Sequence, residues 1–166
     1  MMKALAERAI ALISSLLQVT VMASAWIMMS CIVIQVVMRY VFGRAPSWTE
    51  EGAMLMFSWA ILGGLALGVH QGFHVRLDVL VGSLPATVRQ ITERIIDVMT
   101  MAFGGYLFWS GQRFVEMTQG SVSAAIGYPI EILHILAPLS GALIFIFAAA
   151  RLVGLTQPDQ PTEVAL

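Results

Sequence analysis

"RYVFGRAPSWTEE", residues 39–51, is a short polar interval between two long apolar runs. It holds two arginines, two glutamates, a tryptophan, a proline and a glycine. On its N-terminal side, Ala9–Met38 carries no Asp, Glu, Lys or Arg. On its C-terminal side, Gly52–Val69, "GAMLMFSWAILGGLALGV", carries none either. A bilayer core needs about 20 apolar residues to be crossed as a helix. Two such runs joined by a tight polar turn describe a helical hairpin in a membrane, because only helices and closed barrels satisfy their own backbone there.

Composition agrees. The chain has 166 residues, 58% of them hydrophobic and 11% charged. A soluble domain averages about 25% charged residues. The mean hydropathy is +0.84. A soluble helical protein is excluded on these grounds. Net charge is −1, so no basic surface points to nucleic acid. The single cysteine, Cys31, lies in an apolar run and reads as packing. "ASA" at Ala23–Ala25 imitates a signal-peptide cleavage site, but the apolar run continues to Met38, and a retained first span is expected.

Two further spans follow, centred on Ile95–Gly111 and running over Glu131–Ala150. The expected fold is all-α, with four transmembrane helices over residues 1–153. An interfacial segment separates spans two and three, and a Pro-rich, disordered tail occupies 154–166. With the N-terminus inside, Lys3, Arg8, Arg76, Arg89, Arg94 and Arg151 gather on one side. Arg39, Arg44 and Arg113 are left on the other. The positive-inside rule then places both termini in the cytoplasm and residues 39–51 outside.

Several polar groups have local readings. "SWTE" fits a capping box, Ser47 with Glu50. Glu50 and Glu51 suit the first turn of a helix, and Trp48 the water–lipid boundary. Arg39 is left to meet Glu50, Glu51 or a partner. Gly64 and Gly68 form a G-x-x-x-G beside Gly63, a pattern that lets helices approach closely. Asp97 can pair locally with Arg94, and Arg89 with Glu93. Pro138 is expected to kink span four.

No metal or haem site can be assembled. His70 and His74 lie near one membrane face and His134 near the other, so no opposed axial pair exists at one depth. No nucleophile–base pair or phosphate loop is present, and no enzyme activity is expected. A chain that carries its own substrate shows broken helices and polar groups at mid-membrane. Neither is evident.

The order "RYVFGRAPSWTEE", then "GG" at 63–64, then "HVRLD" at 74–78 and "LP" at 84–85, resembles the small membrane subunit of tripartite ATP-independent periplasmic (TRAP) transporters. Positions matching the family pattern are Arg39, Tyr40, Trp48, Glu51, Gly63, His74, Asp78 and Pro85. Two departures are Gly52, where the family more often has a large apolar residue, and "HQGFH", which lacks the usual basic residues. The resemblance implies a non-catalytic subunit in the bacterial inner membrane. Its implied partners are a large membrane subunit, which holds the substrate and the coupling sodium, and a periplasmic solute-binding protein that delivers a carboxylic or sugar acid. No cofactor is implied for this chain. The residues alone leave a second reading open: a homo-oligomeric channel or exporter lined by Asp97, Gln35 and Thr100.

Overall fold

A computed structural model describes residues 2–72 and 86–155. Helix α1 spans Met2–Phe42, α2 Ser47–Gln71 and α3 Ala86–Met117. A short α4, Glu131–His134, leads into α5, Leu136–Leu152. Three segments are long and apolar enough to cross a membrane: Lys3–Phe42, Ser47–Gln71 and Glu131–Leu152. The expected third span lies inside α3. That helix does not meet the same criterion, because polar and charged residues enter from both ends, Asp97 on one side and Gln112 and Arg113 on the other. The interfacial segment and the tail beyond residue 155 lie outside the described residues.

The turn at residues 43–46 differs from the capping box read in the sequence. Helix α2 begins at Ser47 itself, with Pro46 in the cap position and no side-chain cap. Ser47 therefore sits one place too far along the helix to cap it. Instead, the Thr49 hydroxyl donates to the Pro46 carbonyl at 2.6 Å. Gly43 adopts φ 65° just past α1, and the Arg44 N–H reaches back to the Met38 carbonyl at 3.3 Å. A side chain at Gly43 would be strained in this left-handed conformation. At the other end, Gly72 closes α2 with φ 75°.

The main packing runs α1 on α2, α2 on α5 and α5 on α3, so the long helices follow one another in the order α1, α2, α5, α3, and the short α4 touches α3 and α5. Helix α1 runs antiparallel to α2: Gly52 faces Cys31, and eleven residues on, Gly63 faces Leu17 and Val21. The α3–α5 pair is also antiparallel and in close register. Asp97 meets Arg151, Gly104 meets Phe145, Phe108 meets Gly141, and Gly111 meets Pro138. The core follows this packing, with Ile10, Leu17, Ala66, Val69, Ile144 and Phe147 among its buried residues.

The helical segment that holds Pro138 is interrupted one turn before it, at Ile135 between α4 and α5. The proline's missing N–H leaves the His134 carbonyl without its helical partner. The ring then fits where Gly111 has no side chain.

Candidate functional site

Polar side chains gather in two clusters, one at each end of the helices. The first is centred on Glu51, in the opening turns of α2. The α3–α4 connection folds back as a small hairpin, in which the Ser123 N–H donates to the Tyr128 carbonyl at 2.9 Å and the Ile130 N–H to the Ser121 carbonyl at 3.0 Å. The Glu51 carboxylate binds the tip of this hairpin. It accepts from the Ser123 hydroxyl, from the Ala125 N–H at 2.9 Å and from the Ile126 N–H at 3.0 Å. All three partners are donors, which suits an ionised carboxylate, an acceptor only. The Tyr128 phenol nearby is pushed above its ordinary value, first by desolvation and then by the Glu51 charge.

The same hairpin is tied from its other side. Glu131 Oε1 accepts from the Gly120 N–H at 2.9 Å. His134 Nδ1 lies 2.8 Å from the Thr118 hydroxyl, and its ring packs on Phe114 with centroids 4.3 Å apart. His134 thus has a structural setting.

The second cluster joins three helices. Arg151 on α5 meets Asp97 on α3 at 3.3 Å and donates to the Val69 carbonyl of α2 at 3.1 Å. The two charged side chains are 8% and 13% exposed, so the pair is largely removed from solvent. The local Arg94–Asp97 pairing read in the sequence does not form. Asp97 is on the side of α3 that faces α5, and Arg94 is exposed. Arg89 and Glu93 do pair, at 2.9 Å on the surface. Close by, His70 packs on Phe147 with centroids 4.8 Å apart.

The other residues singled out in the sequence fall into three groups. Arg39, Tyr40, Trp48 and Glu50 are exposed at the Glu51 end, and among the described residues Arg39 meets neither glutamate. Gly63 is buried against α1, where a Cβ would lie 2.8 Å from Val21. Gly64 has no neighbour within 4 Å of such a Cβ, and the Gly68 carbonyl accepts from the Gly72 N–H that closes α2. His74, Asp78 and Pro85 lie outside the described residues. Among the glycines described, close approaches to a neighbouring helix's backbone fall instead at Gly104, Gly111 and Gly141, which the sequence reading did not single out. A pair of glycines seven apart, Gly104 and Gly111, was the available signal.

An open apolar groove of about 350 Å³ lies between α1, α2 and the α4–α5 segment, bordered by Ser24, Ile27, Leu55, Trp59 and Leu136 among others. No charged side chain lines it. Among the described residues, no group of three or more metal-ligating side chains occurs.

Residues 28–157 match the family described as "Tripartite ATP-independent periplasmic transporters, DctQ component". The chain belongs to this family. It is a TRAP small permease subunit, a membrane protein of transport with several helices able to cross the bilayer. It is 34% identical over 80 residues to the C4-dicarboxylate TRAP transporter small permease protein DctQ of Vibrio cholerae, a match covering 45% of this chain and 34% of that protein. It is 27% identical over 154 residues to a putative TRAP transporter small permease protein of Haemophilus influenzae, covering 92% of each. The ectoine TRAP transporter small permease protein TeaB of Halomonas elongata is 24% identical over 130 residues, covering 77% of this chain and 67% of that protein. The family model takes in the Glu51 cluster and Asp97 with Arg151.

Proposed function

We propose that this TRAP small permease is a non-catalytic scaffold for the large membrane subunit of a sodium-coupled importer. The observation that carries this reading is the use made of the chain's deepest charges. Asp97 is committed to Arg151, and Glu51 to the hairpin. Neither lines the groove between α1, α2 and the α4–α5 segment, and that groove is apolar. A carrier of an ionic solute needs polar groups facing its path. The helices, packed one on the next, instead offer an internally braced wall.

In this role α3 crosses the bilayer as the third of four spans, packed along α5, with Arg113 reaching the interface beside Trp109. Both termini lie in the cytoplasm of a bacterial inner membrane. The large subunit holds substrate and sodium, and a periplasmic binding protein delivers the solute. The names of relatives, with C4-dicarboxylate and ectoine among them, support a small carboxylate-bearing solute. The homo-oligomeric channel is less well supported, because its best lining residue, Asp97, is held by an arginine inside a single chain.

The test is reconstitution. Proteoliposomes with the large subunit, the binding protein and a sodium gradient should take up solute only when this chain is included. This chain alone should take up none. Full uptake without it would overturn the scaffold role.

A further inference from the structure

The α3–α4 hairpin carries no charge of its own. Residues 118–130, "TQGSVSAAIGYPI", contain no Asp, Glu, Lys, Arg or His. Its tip nevertheless holds an ion. The Ala125 N–H donates to Glu51 Oε1 at 2.9 Å, the Ile126 N–H donates to Oε2 at 3.0 Å, and the Ser123 hydroxyl donates to Oε2 as well. Two successive backbone N–H groups turned to one anion form a nest, and their partial positive charge stands in for a cation. A carboxylate accepts on both oxygens and donates from neither, so it meets all three donors at once. A side-chain amide cannot, because its NH2 would face donors.

The nest is shaped by the hairpin rather than by its ligand. The Ser123 N–H bonded to the Tyr128 carbonyl, and the Ile130 N–H bonded to the Ser121 carbonyl, close the loop behind the tip. Glu131 ties its base at the Gly120 N–H. Gly127, at φ 74°, makes the left-handed turn directly after the two donors, a conformation that suits glycine. None of these bonds uses the Ala125 or Ile126 N–H, and no backbone carbonyl among the described residues accepts from either. Both residues are exposed, so the donors are open to water and to dissolved anions once Glu51 leaves.

We infer that the tip at residues 123–126 is a carboxylate-binding site in its own right, with Glu51 as its tethered ligand, and that a free carboxylate takes the same place when Glu51 is withdrawn. The tether keeps the site filled in the wild type. A group on the same chain acts at an effective concentration on the order of mM or more, which a dilute anion does not displace. The site stands independently of the scaffold role.

The probe is acetate, added to the full-length chain in detergent. Glu51→Ala empties the place of the carboxylate, and amide exchange at Ala125 and Ile126 should rise at least about tenfold. Sodium acetate at about 100 mM should slow both again about threefold, as mass action gives for a site half-filled near 50 mM. Sodium chloride or acetamide at the same concentration should not. Acetate should also leave Glu51→Gln unchanged, since its amide still fills the place. Adding Ser123→Ala to Glu51→Ala should remove much of the rescue, because one of the three donors is gone.

The wild type gives a check that needs no variant. As pH falls through the carboxylate range, the amide proton resonances of Ala125 and Ile126 should move together, because both bond the group that titrates. Of the other titratable groups at the hairpin, Glu131 bonds Gly120, His134 meets Thr118, and Tyr128 titrates far above this range. Amides that stay in place on acidification, acetate that slows nothing in Glu51→Ala, or chloride and acetamide that slow exchange as much as acetate would each overturn the site and leave the scaffold role standing.

Discussion

Gly111 on α3 and Pro138 on α5 are in such close contact that a Cβ on the glycine would lie 2.7 Å from both the ring Cδ and the backbone nitrogen of the proline. Three positions further along α5, Gly141 faces the backbone of Phe108 at 2.5 Å by the same measure. These contacts hold the two helices at backbone distance. They also let an interrupted helix lie flat against an uninterrupted one.

Gly111→Ala and Gly141→Ala should therefore destabilise the isolated chain by about 1–3 kcal/mol each, the usual cost of overpacking. Gly141→Ala should be the worse, since it meets backbone on both sides of the contact. Thermal unfolding of the purified protein in one detergent measures this. Midpoints equal to the wild type would mean that α3 and α5 are further apart.

Gly64→Ala should behave oppositely. Nothing in this chain lies near the added methyl, and alanine favours a helix by up to about 1 kcal/mol over glycine. The isolated chain should melt at the same temperature or higher. Gly63→Ala, facing the flexible end of Val21, should lower the midpoint modestly. A clear loss of stability in Gly64→Ala alone would place that face against another helix.

Breaking the Asp97–Arg151 pair should cost on the order of 3 kcal/mol, because it leaves a shielded charge with half its partners. Asp97→Ala is the single variant. Adding Arg151→Met should recover part of the loss, since an apolar pair avoids the unpaired charge. A double-mutant cycle on unfolding midpoints tests it, and strict additivity would show that the two groups do not interact.

Glu51→Gln should loosen the hairpin without unfolding the helices. The amide exchange of Ala125 and Ile126 should rise at least about tenfold, while amides inside α2 and α5 keep their protection. Ser123→Ala should produce a smaller rise, since both backbone donors remain. Exchange that stays at the wild-type rate in Glu51→Gln would mean that the hairpin is held by its own bonds and by Glu131.

The helical hairpin of α1 and α2 was legible in residues 39–51 because the signals are local. Long uncharged runs must be helical in a bilayer, and glycine and proline punctuate them. The motif order from Arg39 to Pro85 pointed to the family for the same reason. The interruption before Pro138 has a local signal as well, since a missing N–H acts on its own helix. The capping box failed by a single position: "SWTE" has the right spacing, but the chain enters the helix at Pro46.

Sequence by itself determined the class of protein, its membrane-crossing hairpin and its family. Tertiary structure decided what each polar group is for. Glu51 binds a hairpin more than seventy residues away, and Asp97 passes over the nearby Arg94 for Arg151 on another helix. It also decided that Gly104, Gly111 and Gly141 make the close contacts, and that the long helices follow one another in the order α1, α2, α5, α3. The physical reason is that composition fixes whether a segment is a helix, whereas the rotation and register of one helix against another fix which side chains meet. Those depend on every contact along the interface at once.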